Sequence, residues 1–228
     1  MKKQLVVLSG AGISAESGIK TFRDSDGMWE EYNVMEVASI DGWFKNPKLM
    51  IDFYNQRRMQ LANVEPNFGH IGLVELESEF DVHIITQNVD NLHERAGSKS
   101  TFHLHGELTK VRSVNNDSII TDIGYTEIKI GDKASDGAQL RPHIVWFGEA
   151  VPMLETAISV VKKADVFVII GTSLNVYPAA GLVNYVPIGV PVYLIDPSNV
   201  SSPRVTKHIK KLATEGIKEL QIILGLKK

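Results

Sequence analysis

Cysteine is missing from all 228 residues. That excludes disulfides, thiolate nucleophiles and thiolate-bound zinc, and leaves only histidine and carboxylate metal sites open. No run of about eighteen apolar residues occurs, so no membrane-spanning helix is expected. The start Met1-Lys2-Lys3-Gln4 leads into the short stretch Leu5 to Leu8 without a small-residue cleavage site, and a cytoplasmic protein is expected. Charge of one sign is lacking too: 24 Lys and Arg stand against 27 Asp and Glu, a net charge of -3, which offers no electrostatic footprint for a nucleic acid. Repeats and low-complexity segments are absent. Nothing in the chain fixes an oligomeric state, and a monomer is favoured.

What is present is a series of short apolar runs: Leu5 to Leu8, Val82 to Ile85, Ile144 to Phe147, Val166 to Ile170 and Val190 to Ile195. Runs of this length read as buried parallel strands. Helical stretches fall between several of them, at His70 to Ser78 and Leu154 to Lys163, with another at Glu215 to Leu224. The alternation predicts an α/β fold with a doubly wound parallel sheet, and the length suffices for one such domain carrying an insertion, or for two small domains sharing a cleft. Ligands of these sheets sit beyond the carboxyl ends of the strands. The residues that follow each run are therefore the candidate site.

After the first run stands Gly10-Ala11-Gly12-Ile13-Ser14-Ala15-Glu16-Ser17-Gly18. Two glycines permit a tight turn and close backbone approach to a pyrophosphate at a helix N-terminus. The third is displaced from the usual dinucleotide spacing, and a strand-to-helix turn can need glycine for conformation alone. Thr21-Phe22-Arg23-Asp24 and Gly27-Met28-Trp29 lie in a stretch too rich in Gly and Asp for helix, expected as a mobile loop over the cleft or, more plainly, as a surface loop anchored by Phe22 and Trp29. Thr86-Gln87-Asn88-Val89-Asp90 brings amides and a carboxylate suited to a carboxamide and ribose hydroxyls, or to capping a helix. His103-Leu104-His105-Gly106 sets two imidazoles on one side of a strand, for general-base work, metal binding or a structural role. Gly171-Thr172-Ser173 and Asp196 end later runs where a ribose or phosphate would lie.

Together GAGISAESGI, TFRD, TQNVD, HLHGEL, LRPHIVWFGE and GTSLNVYPAA, in this order between residues 10 and 180, closely resemble the pattern of the sirtuin family. The resemblance implies a Rossmann-like part that binds NAD (about 1–32, 66–107 and 140–228) and a smaller module from two insertions (about 33–65 and 108–139). Acyl-lysine of a protein or peptide would enter between them. Gly10, Ala11 and Gly12 resemble the diphosphate turn and Phe22 and Arg23 the cofactor loop, with Ala15, Glu16, Thr21 and Trp29 also on the cofactor side. Gln87, Asn88 and Asp90 resemble the ribose and nicotinamide pocket, and Gly171, Thr172, Ser173, Asp196 and Ala213 the adenosine side. Val145, Trp146, Phe147 and Gly148 resemble the strand whose backbone pairs with substrate peptide. His105 resembles the catalytic base, with Asn88 and Asp90 beside it. The implied reaction consumes NAD and yields nicotinamide, free lysine and O-acyl-ADP-ribose. Asp196 departs from the asparagine usual there, since a carboxylate accepts from ribose hydroxyls but cannot donate.

Tyr54 and Arg57, three apart on a helix expected after Pro47, share one face. A guanidinium and a phenol can hold a carboxylate, although a core tyrosine beside a solvated arginine has the same spacing. The pair resembles the Tyr-x-x-Arg of class III sirtuins, and Ala38 the small residue that leaves room there for longer acyl chains. Succinyl- or malonyl-lysine is thus the expected substrate, with acetyl-lysine still tolerated. Sirtuins usually carry two cysteine pairs where Ser113, Asn116, Lys133 and Asp136 stand here, so no zinc or other structural metal is expected. Ile119 to Ile130, rich in β-branched residues with partial alternation, is expected to form a small sheet in its place. The rival readings are a protein ADP-ribosyltransferase using the same NAD pocket, a non-catalytic NAD-binding module, and a metal hydrolase built on His93, His103 and His105, which lacks an acidic ligand at supporting spacing.

Overall fold

The computed structural model describes residues 2–20, 32–200 and 202–226. Thr21, Phe22, Arg23 and Trp29, with the loop expected around them, lie outside the described residues.

The strands are β1 (Lys3–Ser9), β2 (Phe80–Thr86), β3 (Thr101–His103), β4 (Gly106–Ser113), β5 (Ile120–Asp122), β6 (Leu140–Ile144), β7 (Val166–Ile170), β8 (Val192–Ile195) and β9 (Lys207–Ile209). Six of them pair in the order β3-β2-β1-β7-β8-β9, every pairing parallel. The winding direction reverses between β1 and β7, and a crevice opens beyond the carboxyl ends of strands at such a reversal. Both faces of the sheet are covered. Leu5 and Val7 point to one side, Val6 and Leu8 to the other, and all four are fully buried, as expected of a parallel sheet with helices on each face. The first face packs on Leu73 and Leu76 of the Phe68–Leu76 helix and Ile217 and Leu220 of the Ala213–Ile223 helix. The second packs on Ala157 and Val161 of the Leu154–Val161 helix and on Leu182.

One expected strand falls elsewhere. The run Ile144 to Phe147 is not in the large sheet: its first residue ends β6, which lies antiparallel to β4 in a three-stranded sheet ordered β5-β4-β6. Ile144 and Trp146 are buried while Phe147 is 47 % exposed. This alternation belongs to a segment covered on one side, which four apolar letters in a row conceal.

The small sheet packs against the Pro47–Ala62 helix. Phe53, Tyr54, Leu108, Val111, Ile128 and Trp146 share its core. The small sheet expected from Ile119 to Ile130 takes only β5 from that segment, because the Asp122 carboxylate accepts from the Gly124 backbone N–H at 2.8 Å and Gly124 takes a φ of 55°, a turn that glycine adopts without steric cost. At the positions matched to the cysteine pairs, buried Ser113 donates to Asp136 Oδ2 at 2.6 Å and accepts from the Asn115 and Asn116 backbone N–H groups. Lys133 pairs with Gln139 in an isolated bridge.

Candidate active site

A cavity of about 630 Å³ lies beyond the ends of β1 and β7, between the two sheets, within the size range of cofactor and small-ligand sites. Its floor is the glycine turn. Gly10 N–H donates to Ile170 O at 3.0 Å and Gly12 N–H to Gly171 O at 2.9 Å, so the ends of β1 and β7 are stitched together. A Cβ on Gly12 would stand 2.7 Å from Gly171 Cα, a distance no side chain tolerates, so this crossing requires glycine. Ala11, Ala15, Gly171, Thr172 and Ser173 line the same wall, and Asp196 and Ala213 lie at its far side. The Asp196 carboxylate accepts from Ser198 N–H at 2.8 Å. Glu16 differs from the expectation: it does not line the cavity. Its carboxylate is exposed and accepts from Thr214 N–H and Oγ1 at 2.9 and 2.6 Å, placing an anion at the N-terminus of the Ala213–Ile223 helix.

The polar centre comes from the end of β2. Asp90, 5 % exposed, accepts from Ser14 Oγ at 3.0 Å and from Leu92 N–H at 3.1 Å, while Asn88 Nδ2 donates to the same Ser14 Oγ at 3.2 Å. Burial raises the Asp90 pKa, and these two hydrogen bonds oppose the rise. Ser14 is thus the hub that sets the Asn88 and Asp90 side chains relative to the glycine turn. It stands inside the glycine motif, where its neighbours' backbone roles hid it. Gln87 Nε2 donates to Thr172 Oγ1 at 3.1 Å, joining the β2 and β7 ends.

His103 and His105 do not share a strand as expected, because β3 stops at His103. Each instead directs Nδ1 at a backbone carbonyl of the β2 loop, His105 at Gln87 O and His103 at Asn88 O, both 3.0 Å away. A carbonyl only accepts, so each Nδ1 carries the proton. The neutral His105 ring then keeps Nε2 as an unprotonated base in the cavity it lines, and burial lowers its pKa. His103 Nε2 lies 2.9 Å from Glu94 Oε1. Burial works against its imidazolium, but the Glu94 carboxylate, together with Glu107 and the Asn88 carbonyl, raises the pKa. His93 is wholly buried, with Nε2 2.9 Å from Ser9 Oγ. The three imidazoles therefore serve three separate partners, and among the described residues no group of His, Asp and Glu is placed to hold a metal ion.

Tyr54, Arg57 and Ala38 line the same cavity, with Val145, Trp146, Phe147 and Gly148 along its edge. Tyr54 is 3 % exposed and its oxygen accepts from Trp146 Nε1 at 2.9 Å. Burial pushes the Tyr54 pKa up to about 12, so the phenol stays protonated. Burial lowers the Arg57 pKa against the attraction of Tyr54 and Asp90, yet a guanidinium remains charged near neutral pH. The Val145–Gly148 stretch is more committed than expected. Val145 N–H donates to His105 O, Trp146 N–H to Glu149 Oε2 and Phe147 N–H to Ala38 O, at 2.8 to 2.9 Å, and the Trp146 and Phe147 carbonyls accept from Glu149 N–H and Ile40 N–H at 3.0 Å, so pairing with a peptide there would rest chiefly on the Val145 carbonyl and Gly148. Glu149, unnoticed in the sequence, accepts both Arg141 terminal nitrogens at 2.7 and 2.9 Å and fixes this turn.

The Sir2 family model matches residues 10–178. The chain belongs to the Sir2 family. An NAD-dependent protein deacylase of Bacteroides thetaiotaomicron is 59 % identical to this Sir2 protein over 229 residues, covering 97 % of this chain and 98 % of its own. One of Helicobacter pylori is 54 % identical over 220 residues, with 96 % of each chain covered. Among solved structures, a Sir2 homologue in complex with NAD superposes with a TM-score of 0.88 at 38 % identity, over 98 % of this chain and 90 % of that one. A Sir2 protein holding a deacetylated peptide and 3'-O-acetyl-ADP-ribose gives 0.81 at 27 % identity, over 99 % and 95 %. NAD is the co-substrate of the family, and the wall made by Gly10 to Gly12, Asn88, Asp90 and Gly171 to Ser173 is the part of this Sir2 cavity suited to it.

Proposed function

We propose that this Sir2 protein is an NAD-dependent protein-lysine deacylase whose preferred acyl groups end in a carboxylate, succinyl or malonyl. The donor set suits NAD: a glycine turn that leaves backbone close to a diphosphate, a carboxylate and amide for ribose and carboxamide, and a neutral imidazole beside them. Bound as co-substrate, NAD supplies the anomeric carbon that accepts the acyl oxygen as nicotinamide leaves. His105 Nε2 takes a proton from a ribose hydroxyl in the following step, a role that its Nδ1–H bond to Gln87 O and its lowered pKa both favour. Asn88 and Asp90, tied through Ser14, hold the ribose and carboxamide in place. The same relatives' names support the deacylase reading.

The acyl preference rests on one observation: Tyr54 and Arg57, a helical turn apart, line the cavity that also holds His105. A carboxylate beside the Arg57 guanidinium would offset the burial that disfavours its charge, and the Tyr54 hydroxyl, whose oxygen already accepts from Trp146, keeps its own proton for donation. Ala38 leaves length for the chain. Hydrogen bonds to charged groups contribute about 1.5–3 kcal/mol, or roughly 10- to 150-fold in rate. Arg57→Met should therefore lower kcat/KM for a succinyl-lysine peptide by about that factor and change the matched acetyl peptide little. An equal loss on both substrates would remove the carboxylate from the proposal.

A further inference from the structure

The helix that carries Tyr54 and Arg57 carries a second pair, Asn55 and Arg58, on the adjacent face, about 100° further round, and bonded to the protein itself. Among the described residues Arg58 is the largest wholly buried side chain, at 0 % exposure, and Asn55 is 8 % exposed. Arg58 Nε donates to Leu108 O at 2.7 Å and an Arg58 terminal nitrogen donates to Asn55 Oδ1 at 2.8 Å. Asn55 in turn grips one residue by both backbone groups, donating to Ile128 O at 2.8 Å and accepting from Ile128 N–H at 3.1 Å. Leu108 N–H donates to Val89 O at 2.8 Å. A continuous polar chain thus runs from Ile128 through Asn55 and Arg58 to Leu108 and on to Val89, which lies between Asn88 and Asp90.

Burying an arginine is costly, and buried apolar residues of like volume are often at least as stable. The guanidinium here nonetheless ties the helix to the Leu108 carbonyl of β4 and braces Asn55, which holds Ile128. The other terminal nitrogen of Arg58 has no hydrogen-bond partner among the described residues, and burial pulls the pKa of this arginine down to about 10. Packing alone gives no reason for a cation at this point, whereas fixing the helix azimuth does. Tyr54 and Arg57 project from the same turn as Asn55 and Arg58, so a rotation that broke the polar chain would swing the acyl-binding pair away from the loop holding Asn88 and Asp90. Such misplacement by about 1 Å can cost about a hundredfold in rate.

We infer that Asn55 and Arg58 are positioning residues for acyl selection, registering Tyr54 and Arg57 against the Asn88–Asp90 loop. This inference rests on the carboxylate reading of Tyr54 and Arg57. The segment that the chain fixes, around Ile128, belongs to the part of the module where the sequence has no cysteine pair, so the side-chain grip on Ile128 gives that segment its attachment to the helix.

The test measures kcat/KM on matched succinyl and acetyl peptides for the wild type, Arg57→Met, Arg58→Met and the double variant. The expected result is that Arg58→Met lowers the succinyl-to-acetyl ratio by about tenfold, with nearly no further loss of that ratio when added to Arg57→Met. If Arg58→Met does not fold, Arg58→Lys and Asn55→Ala are read in the same way, lysine keeping the charge without the fork that reaches two acceptors. Equal loss on both peptides from the Arg58 or Asn55 variants, with Arg57→Met still discriminating, would reduce the pair to scaffolding and overturn the inference alone. A ratio unmoved by Arg57→Met would overturn the acyl reading, and the inference with it.

Discussion

The Tyr54 hydroxyl accepts a 2.9 Å hydrogen bond from the indole Nε1 of Trp146, 92 positions along the chain. Indole nitrogen only donates, so the phenol oxygen is the acceptor and its proton is left to donate elsewhere. One contact therefore joins the acyl end of the cavity to the Val145–Gly148 edge and polarises the phenol in the direction a carboxylate needs. Tyr54→Phe is expected to leave Trp146 Nε1 buried without an acceptor, at about 1–3 kcal/mol of stability, and to raise KM for the succinyl peptide. Adding Trp146→Phe should recover much of the stability in urea unfolding and none of the KM. Recovery of both would mean that the hydroxyl serves packing alone.

A second expectation concerns pH. His105 acts as base only when neutral, and burial lowers its pKa below the ordinary 6.5. The neutral form then persists to lower pH, so the acid limb of kcat should fall below pH 6.5. A profile recorded at saturating peptide and NAD checks this, and a limb above 6.5 would contradict the placement of His105.

Stability has its own acid dependence. His70 is wholly buried and burial lowers its pKa to about 4, while that of wholly buried His93 is lowered as well. In the unfolded chain these rings take up protons near pH 6.5, before the folded protein does, so stability falls as pH drops from 6.5 toward 4. His70 alone accounts for a loss on the order of 3 kcal/mol. Raised-pKa His103 acts in the opposite sense with a smaller share, since Glu94 stabilises its charged form. Urea titrations at pH 7, 5.5 and 4.5 should show the decline, and a flat dependence would mean that these rings are hydrated.

The large sheet was legible because its strands are buried on both faces and so appear as unbroken apolar runs. The same rule misled at Ile144 to Phe147, where Phe147 points outward and the run continues only by chance of composition. Gly10, Gly12 and Gly171 were readable for the reverse reason, since a backbone crossing that admits no Cβ leaves glycine in the sequence. Glu16, Ser14, Glu149 and Arg58 were not. Glu16, Ser14 and Arg58 act through partners distant along the chain, 198 positions in the case of Thr214, and Glu149 holds Arg141 across a turn, contacts that no regular spacing encodes. Tyr54 and Arg57 were legible through helical spacing, although the spacing says nothing about Asn55 and Arg58 beside them.

The small module is the place to test a metal-free attachment. Ser113 holds Asp136 and two backbone N–H groups where cysteine pairs would stand. Ser113→Ala is expected to cost about 1–2 kcal/mol, while a zinc chelator should leave Tm and peptide turnover unchanged. Loss of turnover on chelation, restored by added zinc, would contradict this.

The most direct measurement is nicotinamide release from NAD by the purified protein with matched succinyl- and acetyl-lysine peptides, with His105→Ala alongside. Faster release with the succinyl peptide, abolished in His105→Ala, is the expected result. No release with either peptide while NAD still binds would contradict the deacylase, and faster release with the acetyl peptide would contradict the carboxylate pocket.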